Sequence, residues 1–115
     1  MSGILRARLQ FAALLAGLIT RANGGAVGVT VGEVYRSAAE ARRLAASGAG
    51  VLKSLHTEGL AVDLNLYVGG VYQTQTAAYA ALGAWWEAQD PACRWGGRFR
   101  RPDGNHFSLA IDRRA

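Results

Sequence analysis

The pattern of hydrophobic and polar positions first predicts two helices. Between residues 4 and 21, apolar side chains recur at helical spacing, and Asn23-Gly24-Gly25 marks the end of the pattern. Ser37 is predicted to cap a short helix from Ala38 to Ala46, with Glu40 completing a capping box. Both predicted helices therefore have recognisable ends.

The N-terminal stretch has a second interpretation. Arg6 and Arg8, followed by the apolar residues Phe11 to Ile19, resemble the charged and apolar regions of a signal peptide. The apolar run is too short for a membrane span, and no clean small-residue cleavage site follows it. We favour a structural first helix without stable membrane insertion, and keep processing as a signal as the alternative.

Strand patterns fill the rest of the chain. Leu60 to Tyr67 alternates so that Ala61, Asp63, Asn65 and Tyr67 share one face and the aliphatic residues share the other. Shorter strands are predicted at Ala26–Val31 and Phe107–Ile111, and Arg94–Gly97 is predicted to be a short strand or a loop. The prediction is an antiparallel sheet of roughly four strands, in which Asp63 points away from the aliphatic core.

A hairpin and a third helix follow the central strand. Gly69-Gly70 is a two-residue hairpin turn that leads into a return strand at Val71-Tyr72. Thr76 is predicted to cap a helix that runs to about Ala88, and Tyr79, Leu82 and Trp86 form its buried side. Helices and strands are thus mixed along the chain, which indicates an α+β fold.

Composition limits the classes that remain. The 115 residues are expected to form a single domain, residues 1–115. A net charge of +5 and a pI near 10.1 favour polyanionic partners, either nucleic acid or anionic cell-wall polymer, or simply a solvated basic face. Cys93 is the only cysteine, which excludes an intrachain disulfide, and we expect it to be half-buried near a turn.

The candidate chemistry lies in two short segments. The chain has only two histidines, His56 and His106; Asp63 follows the first, and Asp103 precedes the second. Two imidazoles and a carboxylate are a common ligand set for catalytic zinc, and a second carboxylate can act as general base. The alternatives are two unrelated polar histidines, and for Asp103 an ordinary turn residue in Pro102-Asp103-Gly104-Asn105.

These residues occur in an order that resembles a known family. The segment from Ser54 to Asp63 has the pattern Ser-x-His-x-x-Gly-x-Ala-x-Asp, and residues 103–106 have the pattern Asp-x-x-His. With Gly32–Ser37, they resemble the D-Ala-D-Ala metallopeptidase and L-alanyl-D-glutamate endopeptidase family of bacterial peptidoglycan. Trp95–Phe99 is similar to the phage endolysin branch in particular. The resemblance extends from about Gln10 to Ile111.

The resemblance implies a fold of the Hedgehog/D,D-peptidase type and a Zn²⁺ cofactor. It assigns the metal to His56, Asp63 and His106, and the role of general base to Asp103. It also implies that Arg36 stabilises the oxygen of the substrate carbonyl; a surface salt bridge is the alternative for this residue.

Three further residues are predicted to contact substrate, each with a structural alternative. Ser54 is predicted to bind substrate or orient a neighbour, and its alternative is a loop cap. Tyr35 and Trp95 are predicted to line the cleft, and their alternative is core packing.

The predicted function is a zinc-dependent peptidoglycan peptidase that hydrolyses the stem peptide at the L-Ala/D-Glu bond. A D-Ala-D-Ala carboxypeptidase or dipeptidase, or a catalytically silent zinc-stabilised binding domain, are the alternatives. We expect a monomer whose partner is the stem peptide and not nucleic acid. We expect synthesis in the cytoplasm and action on the bacterial cell wall after release during phage or prophage lysis.

Overall fold

The computed structural model describes residues 1–48 and 55–111. The described chain contains three helices and five strands: α1 (Gly3–Ala22), β1 (Val27–Val31), α2 (Ala38–Ala46), β2 (Ala61–Val68), β3 (Val71–Tyr72), α3 (Ala80–Gln89), β4 (Cys93–Trp95) and β5 (His106–Leu109). Short 3-10 turns cover Leu55–Glu58, Thr76–Tyr79 and Gly96–Arg98. The α+β prediction is confirmed.

The strands form one antiparallel sheet with β2 at its centre. The order is β1-β2-β5-β4, and β3 pairs with β2 beyond the end of β5. Gly69 and Gly70 join β2 to β3 with φ angles of 57° and 78°, the left-handed conformation that a two-residue hairpin turn requires. The two-residue β3 is the return strand predicted at Val71-Tyr72, and with it the sheet has five strands where roughly four were expected.

Alternation along β2 produces the predicted two faces. Val62, Leu64 and Leu66 are buried on the core side, whereas Asp63 and Asn65 are only half-buried on the other. A one-residue shift in strand register would exchange the two faces, so the aliphatic side fixes the direction in which Asp63 points.

The first helix packs on the core side of this sheet. Phe11 and Leu18 of α1 are buried, and the Phe11 ring meets the edge of the Trp86 ring at 6.0 Å. Asn23 caps the end of α1 and donates from Nδ2 to the Ile19 carbonyl at 2.7 Å, as the predicted stop implies. The apolar run from Phe11 to Ile19 is too short for a membrane span, but α1 extends beyond it to 20 residues with a mean hydropathy of 1.3. By length and composition the whole helix could therefore cross a membrane, a criterion that core helices and signal sequences also meet.

Trp86 lies at the centre of the core. It is fully buried in α3, and its indole N–H is shared between the carbonyls of Arg94 and Ser108 at 3.1 Å each. Phe107 of β5 meets its ring edge-on at 6.3 Å. These contacts attach α3 to β4 and to β5, whose first residue is His106.

The predicted start of the third helix is wrong. Thr76 does not cap a helix; residues Thr76–Tyr79 form a 3-10 turn, and the α-helix begins only at Ala80. The reason is the anchoring of Tyr79, whose hydroxyl donates to the Gln73 carbonyl at 2.8 Å and accepts from the Leu66 amide at 3.0 Å. That anchor holds the first turn against β2 in the tighter form.

Two smaller predictions have mixed outcomes. Ser37 does cap α2, accepting from the Glu40 amide at 3.0 Å, but the Glu40 carboxylate pairs with Arg43 instead of completing the capping box. Cys93 is fully buried in β4 and not half-buried near a turn, because its side chain belongs to the core. Burial raises the pKa of its thiol to about 11, so the thiol stays protonated at neutral pH.

Candidate metal centre

His56 is presented by a tight turn that precedes the central strand. It lies in the 3-10 turn Leu55–Glu58, and Gly59 then reverses the chain into β2 with a φ of 70°, a conformation that favours glycine. The His56 Nδ1 atom lies 3.1 Å from the Val34 carbonyl oxygen, which makes Nδ1 the donor of a hydrogen bond. In the neutral ring Nε2 then carries the lone pair, and it lies 3.4 Å from Asp63 Oδ1.

Asp63 and His106 are brought together by strand pairing. They are direct partners in the antiparallel β2–β5 ladder, and the Asp63 Oδ1 atom lies 3.6 Å from the His106 Nδ1 atom. Two backbone hydrogen bonds attach Asp63 to the segment between β1 and α2. The Asp63 amide donates to the Glu33 carbonyl at 2.8 Å, and the Asp63 carbonyl accepts from the Gly32 amide at 2.7 Å.

The three side chains form one compact group of donor atoms. His56, Asp63 and His106 each offer one ligand atom, and these atoms all lie within 4.8 Å of one another. The two imidazole rings are nearly perpendicular at 5.4 Å, and both histidines are buried. The structure therefore unites the three residues that the sequence selected.

The donor chemistry of this group fits a zinc ion. Within the described residues, Asp63 Oδ1 and His106 Nε2 are buried without a hydrogen-bond partner. Buried polar atoms rarely stay unpaired, because desolvation without a partner costs free energy. Two imidazoles and a carboxylate leave one tetrahedral position open, which is the arrangement of catalytic rather than structural zinc sites.

Electrostatics keeps the central carboxylate ionised. Burial raises the pKa of Asp63, but the two neighbouring imidazoles outweigh it and lower the pKa to about 2. Burial likewise lowers the pKa of His56, and the Asp63 carboxylate outweighs it, so the net direction is upward. At neutral pH the group thus contains a negative charge between two basic rings.

Asp103 lies on the turn that leads into β5. Its amide donates to the Gly96 carbonyl at 2.9 Å, and its carbonyl accepts from the His106 amide at 3.1 Å. Gly96 is required here, since a Cβ on it would lie 2.1 Å from the Asp103 carbonyl oxygen. Although the residue is exposed, the surrounding protein raises the carboxyl pKa by partial burial, and the Asp63 charge raises it further.

Arg36 is joined to His56 through Glu33 and through the backbone. Its side chain is only 10% exposed and forms an ion pair with Glu33, whose Oε1 accepts from Arg36 Nε at 2.6 Å. The Arg36 amide donates to the His56 carbonyl at 3.0 Å, and Glu33 Oε1 lies 3.8 Å from His56 Nδ1. Glu33 thus links Arg36 to the histidine, a contact that sequence spacing alone did not identify.

The predicted substrate-contacting residues have different positions. Tyr35 is 67% exposed beside Arg36, so its side chain is open to solvent. Trp95 is buried in the core and donates from Nε1 to the Gly104 carbonyl at 2.7 Å, which agrees with the packing alternative and not with a wall of the cleft. Ser54 lies outside the described residues.

Comparison with known proteins now places the chain. A family model described as D-alanyl-D-alanine carboxypeptidase matches residues 47–109, more than half of the 115 residues. The chain belongs to this peptidase family. The matched region contains His56, Asp63, Asp103 and His106. The family resemblance found in the sequence is confirmed.

A solved structure of the family's fold is also similar. The crystal structure of Serratia marcescens L-Ala D-Glu endopeptidase ChiX superimposes with a TM-score of 0.70 at 26% sequence identity. The alignment covers 88% of this chain and 78% of that chain. A comparison with curated proteins gives no match.

Proposed function

We propose that the protein is a zinc-dependent peptidase that hydrolyses the stem peptide of peptidoglycan at the L-Ala/D-Glu bond. The observation that carries the proposal is the group of His56, Asp63 and His106 ligand atoms within 4.8 Å of one another. Membership of a D-alanyl-D-alanine carboxypeptidase family supports the peptidase activity, and the similarity to an L-Ala D-Glu endopeptidase supports the choice of bond.

His56, Asp63 and His106 hold the metal in this proposal. The chemistry that zinc supplies at such a site is a lowered pKa for water and polarisation of the substrate carbonyl. The hydrogen bond between His56 Nδ1 and the Val34 carbonyl orients the ring so that Nε2 is available as a ligand. Strand pairing orients Asp63 and His106 in the same way.

Asp103 is the proposed general base. It takes a proton from the attacking water and later gives a proton to the leaving amine. Its raised pKa suits both steps, because a carboxylate with a higher pKa is a better proton acceptor. Its backbone bonds to Gly96 and His106 fix the turn that carries the carboxyl and tie that turn to the proposed ligand His106.

Arg36 is the proposed stabiliser of the substrate oxyanion. A fixed, positively charged donor stabilises charge that develops in the transition state, and it does so most strongly where water is excluded. The Glu33 ion pair and the low exposure of the side chain keep the guanidinium group in one orientation. Tyr35, which is exposed beside Arg36, and Ser54 are proposed to contact the substrate peptide.

Digestion of purified muropeptides tests the function. The zinc-loaded protein should release fragments whose new amino group belongs to D-Glu, identified by product mass. Removal of zinc by a chelator should abolish release, and added zinc should restore it. Unchanged muropeptides after prolonged incubation with zinc-loaded protein would contradict the proposal.

The family model favours a second candidate, D-Ala-D-Ala carboxypeptidase or dipeptidase activity. The same digest separates the two, because this activity would release free D-Ala and leave the L-Ala/D-Glu bond intact. A catalytically silent, zinc-stabilised binding domain would retain the metal and the peptidoglycan and would release neither product. We place the site of action at the bacterial cell wall, after release during phage or prophage lysis.

A further inference from the structure

A row of side chains leads away from the metal centre along β2. Asp63, Asn65 and Tyr67 lie on one face of the strand, and the rise of about 3.3 Å per residue puts Tyr67 about 13 Å from Asp63. Asn105 Nδ2 donates to Asn65 Oδ1 at 3.1 Å, and the Tyr67 ring lies 5.4 Å from the Tyr72 ring. Along β2, the side chains of this row are therefore first the carboxylate proposed to bind metal, then a pair of amides, and finally a pair of aromatic rings.

Beside this row lies a groove of about 200 Å³, which we call the polar groove. Its lining includes Tyr72, Gln73, Thr74, Thr76, Asp103 and Asn105. Asp103, the proposed base, is among the lining residues, so the groove and the proposed reaction centre share this residue. The volume is below the roughly 300–1,000 Å³ of pockets for drug-sized ligands, so the groove suits one small ring or a short chain.

The two walls of the polar groove are held at a fixed separation. On one wall, the Gln73 amide donates to the Leu66 carbonyl at 2.8 Å, and the Tyr79 hydroxyl donates to the Gln73 carbonyl at 2.8 Å. The other wall touches the first at Gly104, where a Cβ would lie 2.8 Å from the Thr76 Cα atom. The groove therefore exists before a ligand enters, which lowers the entropic cost of binding.

The side chains of the groove are those that recognise an uncharged ligand with hydroxyl, ether and amide groups. Gln73, Thr74, Thr76 and Asn105 offer neutral donors and acceptors. Tyr72 is 47% exposed and offers an aromatic surface on which an apolar ring face can pack. Of the lining residues that the structure describes, only Asp103 is charged, so no cation is present to hold a peptide carboxylate.

We propose that the polar groove is a saccharide subsite, which binds the sugar residue that carries the stem peptide. The inference rests on the proposed function, since it names the part of that substrate the groove holds. L-Ala is the stem residue joined to the sugar, so a bound sugar beside Asp103 places the L-Ala/D-Glu bond, and not the distant D-Ala end, near the reaction centre. The groove would thereby select the bond.

The test compares two substrates with the same scissile bond: a disaccharide-linked stem peptide and the same peptide without sugar. We expect wild-type kcat/KM to be about tenfold higher for the sugar-linked form, because binding energy from the remote sugar lowers the barrier. Tyr72→Ala should reduce this ratio about three- to tenfold, since it removes the aromatic surface. Val71→Ala, on the same short strand but outside the groove lining, is the matched control and should keep the wild-type ratio.

Each result decides the inference. A wild-type ratio near one, or a ratio that Tyr72→Ala leaves unchanged, would overturn the saccharide subsite while hydrolysis itself upheld the proposed function. If neither substrate is hydrolysed, the proposed function fails, and titration with the peptide-free disaccharide decides the subsite by amide chemical shifts of Tyr72 and Gln73. Shifts that disappear in Tyr72→Ala would support it, and no shifts would refute it.

Discussion

The metal centre and the rim of the cleft are held by different means. His56 and His106 are buried, and a glycine turn and strand pairing set their positions. Asp103, Tyr35 and Tyr72 are exposed, on turns or on the two-residue β3. Because the two regions are held differently, substitutions at the centre should affect folding and activity together, whereas substitutions at the rim should affect activity alone.

The largest effect is expected at the centre. Asp63→Ala should remove zinc and hydrolysis, and should lower the melting temperature by more than about 5 °C, because metal-binding free energy is part of the folding free energy. Metal analysis and thermal melting of the purified variant measure this. Asn65→Ala, two positions along the same face, should retain zinc; stoichiometric zinc in Asp63→Ala would refute the ligand assignment.

A smaller effect, on rate alone, is expected at the rim. Asp103→Asn should slow hydrolysis by about a hundredfold to ten-thousandfold, because the amide cannot take a proton. Zinc content and melting temperature should stay unchanged, since asparagine also suits this turn. Undiminished hydrolysis would show that Asp103 is only a turn residue, and Glu33 and Glu58 would become the next candidates for the base.

The pH profile sharpens the same comparison. Partial burial and the Asp63 charge raise the pKa of Asp103 above its usual value. The general base works only when ionised, so activity should be lost as the pH falls through this raised pKa, at a higher pH than for a fully exposed aspartate. A rate profile for wild type against Asp103→Asn measures it, and an acid limb that persists in the variant would contradict the assignment.

Arg36, which is 10% exposed and paired with Glu33, should show an effect on rate no larger than that at Asp103. Arg36→Ala should reduce kcat about a hundredfold to a thousandfold with a smaller change in KM, because the guanidinium acts mainly in the transition state. Glu33→Gln keeps a hydrogen-bond acceptor and should lose less. Equal losses in KM and kcat for Arg36→Ala would indicate ground-state binding instead.

The smallest effect on hydrolysis is expected beneath the site. Alanine substitutions at two helix glycines should there change the free energy of unfolding in opposite directions. Gly83→Ala should destabilise the protein by about 1–3 kcal/mol, since its Cβ would lie 2.1 Å from the Trp95 ring. Gly17→Ala in α1 meets only Trp85 at an ordinary 3.4 Å and should stabilise by about 0.5–1 kcal/mol. Chemical denaturation measures the free energy of unfolding of both variants. A change in the same direction for both would contradict the packing described here.

Local patterns predicted those parts of the fold that local physics determines. The alternation of Leu60 to Tyr67, the Ser37 cap and the Gly69-Gly70 turn each depend on neighbouring residues, and each is confirmed. Thr76 was misjudged because the anchoring of Tyr79 comes from β2 and from Gln73. Propensity within a segment does not record contacts of that kind.

The candidate site shows the same division. The family pattern indicated which residues to consider, and the structure brings His56, Asp63 and His106 together. The contact of Glu33 with His56 joins segments far apart in sequence, so periodicity gave no sign of it. For Trp95 the sequence left cleft lining and core packing open, because an aromatic residue in a motif does not reveal which side of a strand it occupies; the structure buries its side chain.

The pairing of Asp63 with His106 in the β2–β5 ladder has a consequence for biosynthesis. A nascent chain that has emerged only as far as β4 contains His56 and Asp63 but neither the strand that completes this ladder nor its histidine. The donor set can therefore assemble only after β5 has been made and has docked on β2. Hydrolytic competence is tied in this way to the synthesis and docking of β5, and a product truncated before His106 would be inert.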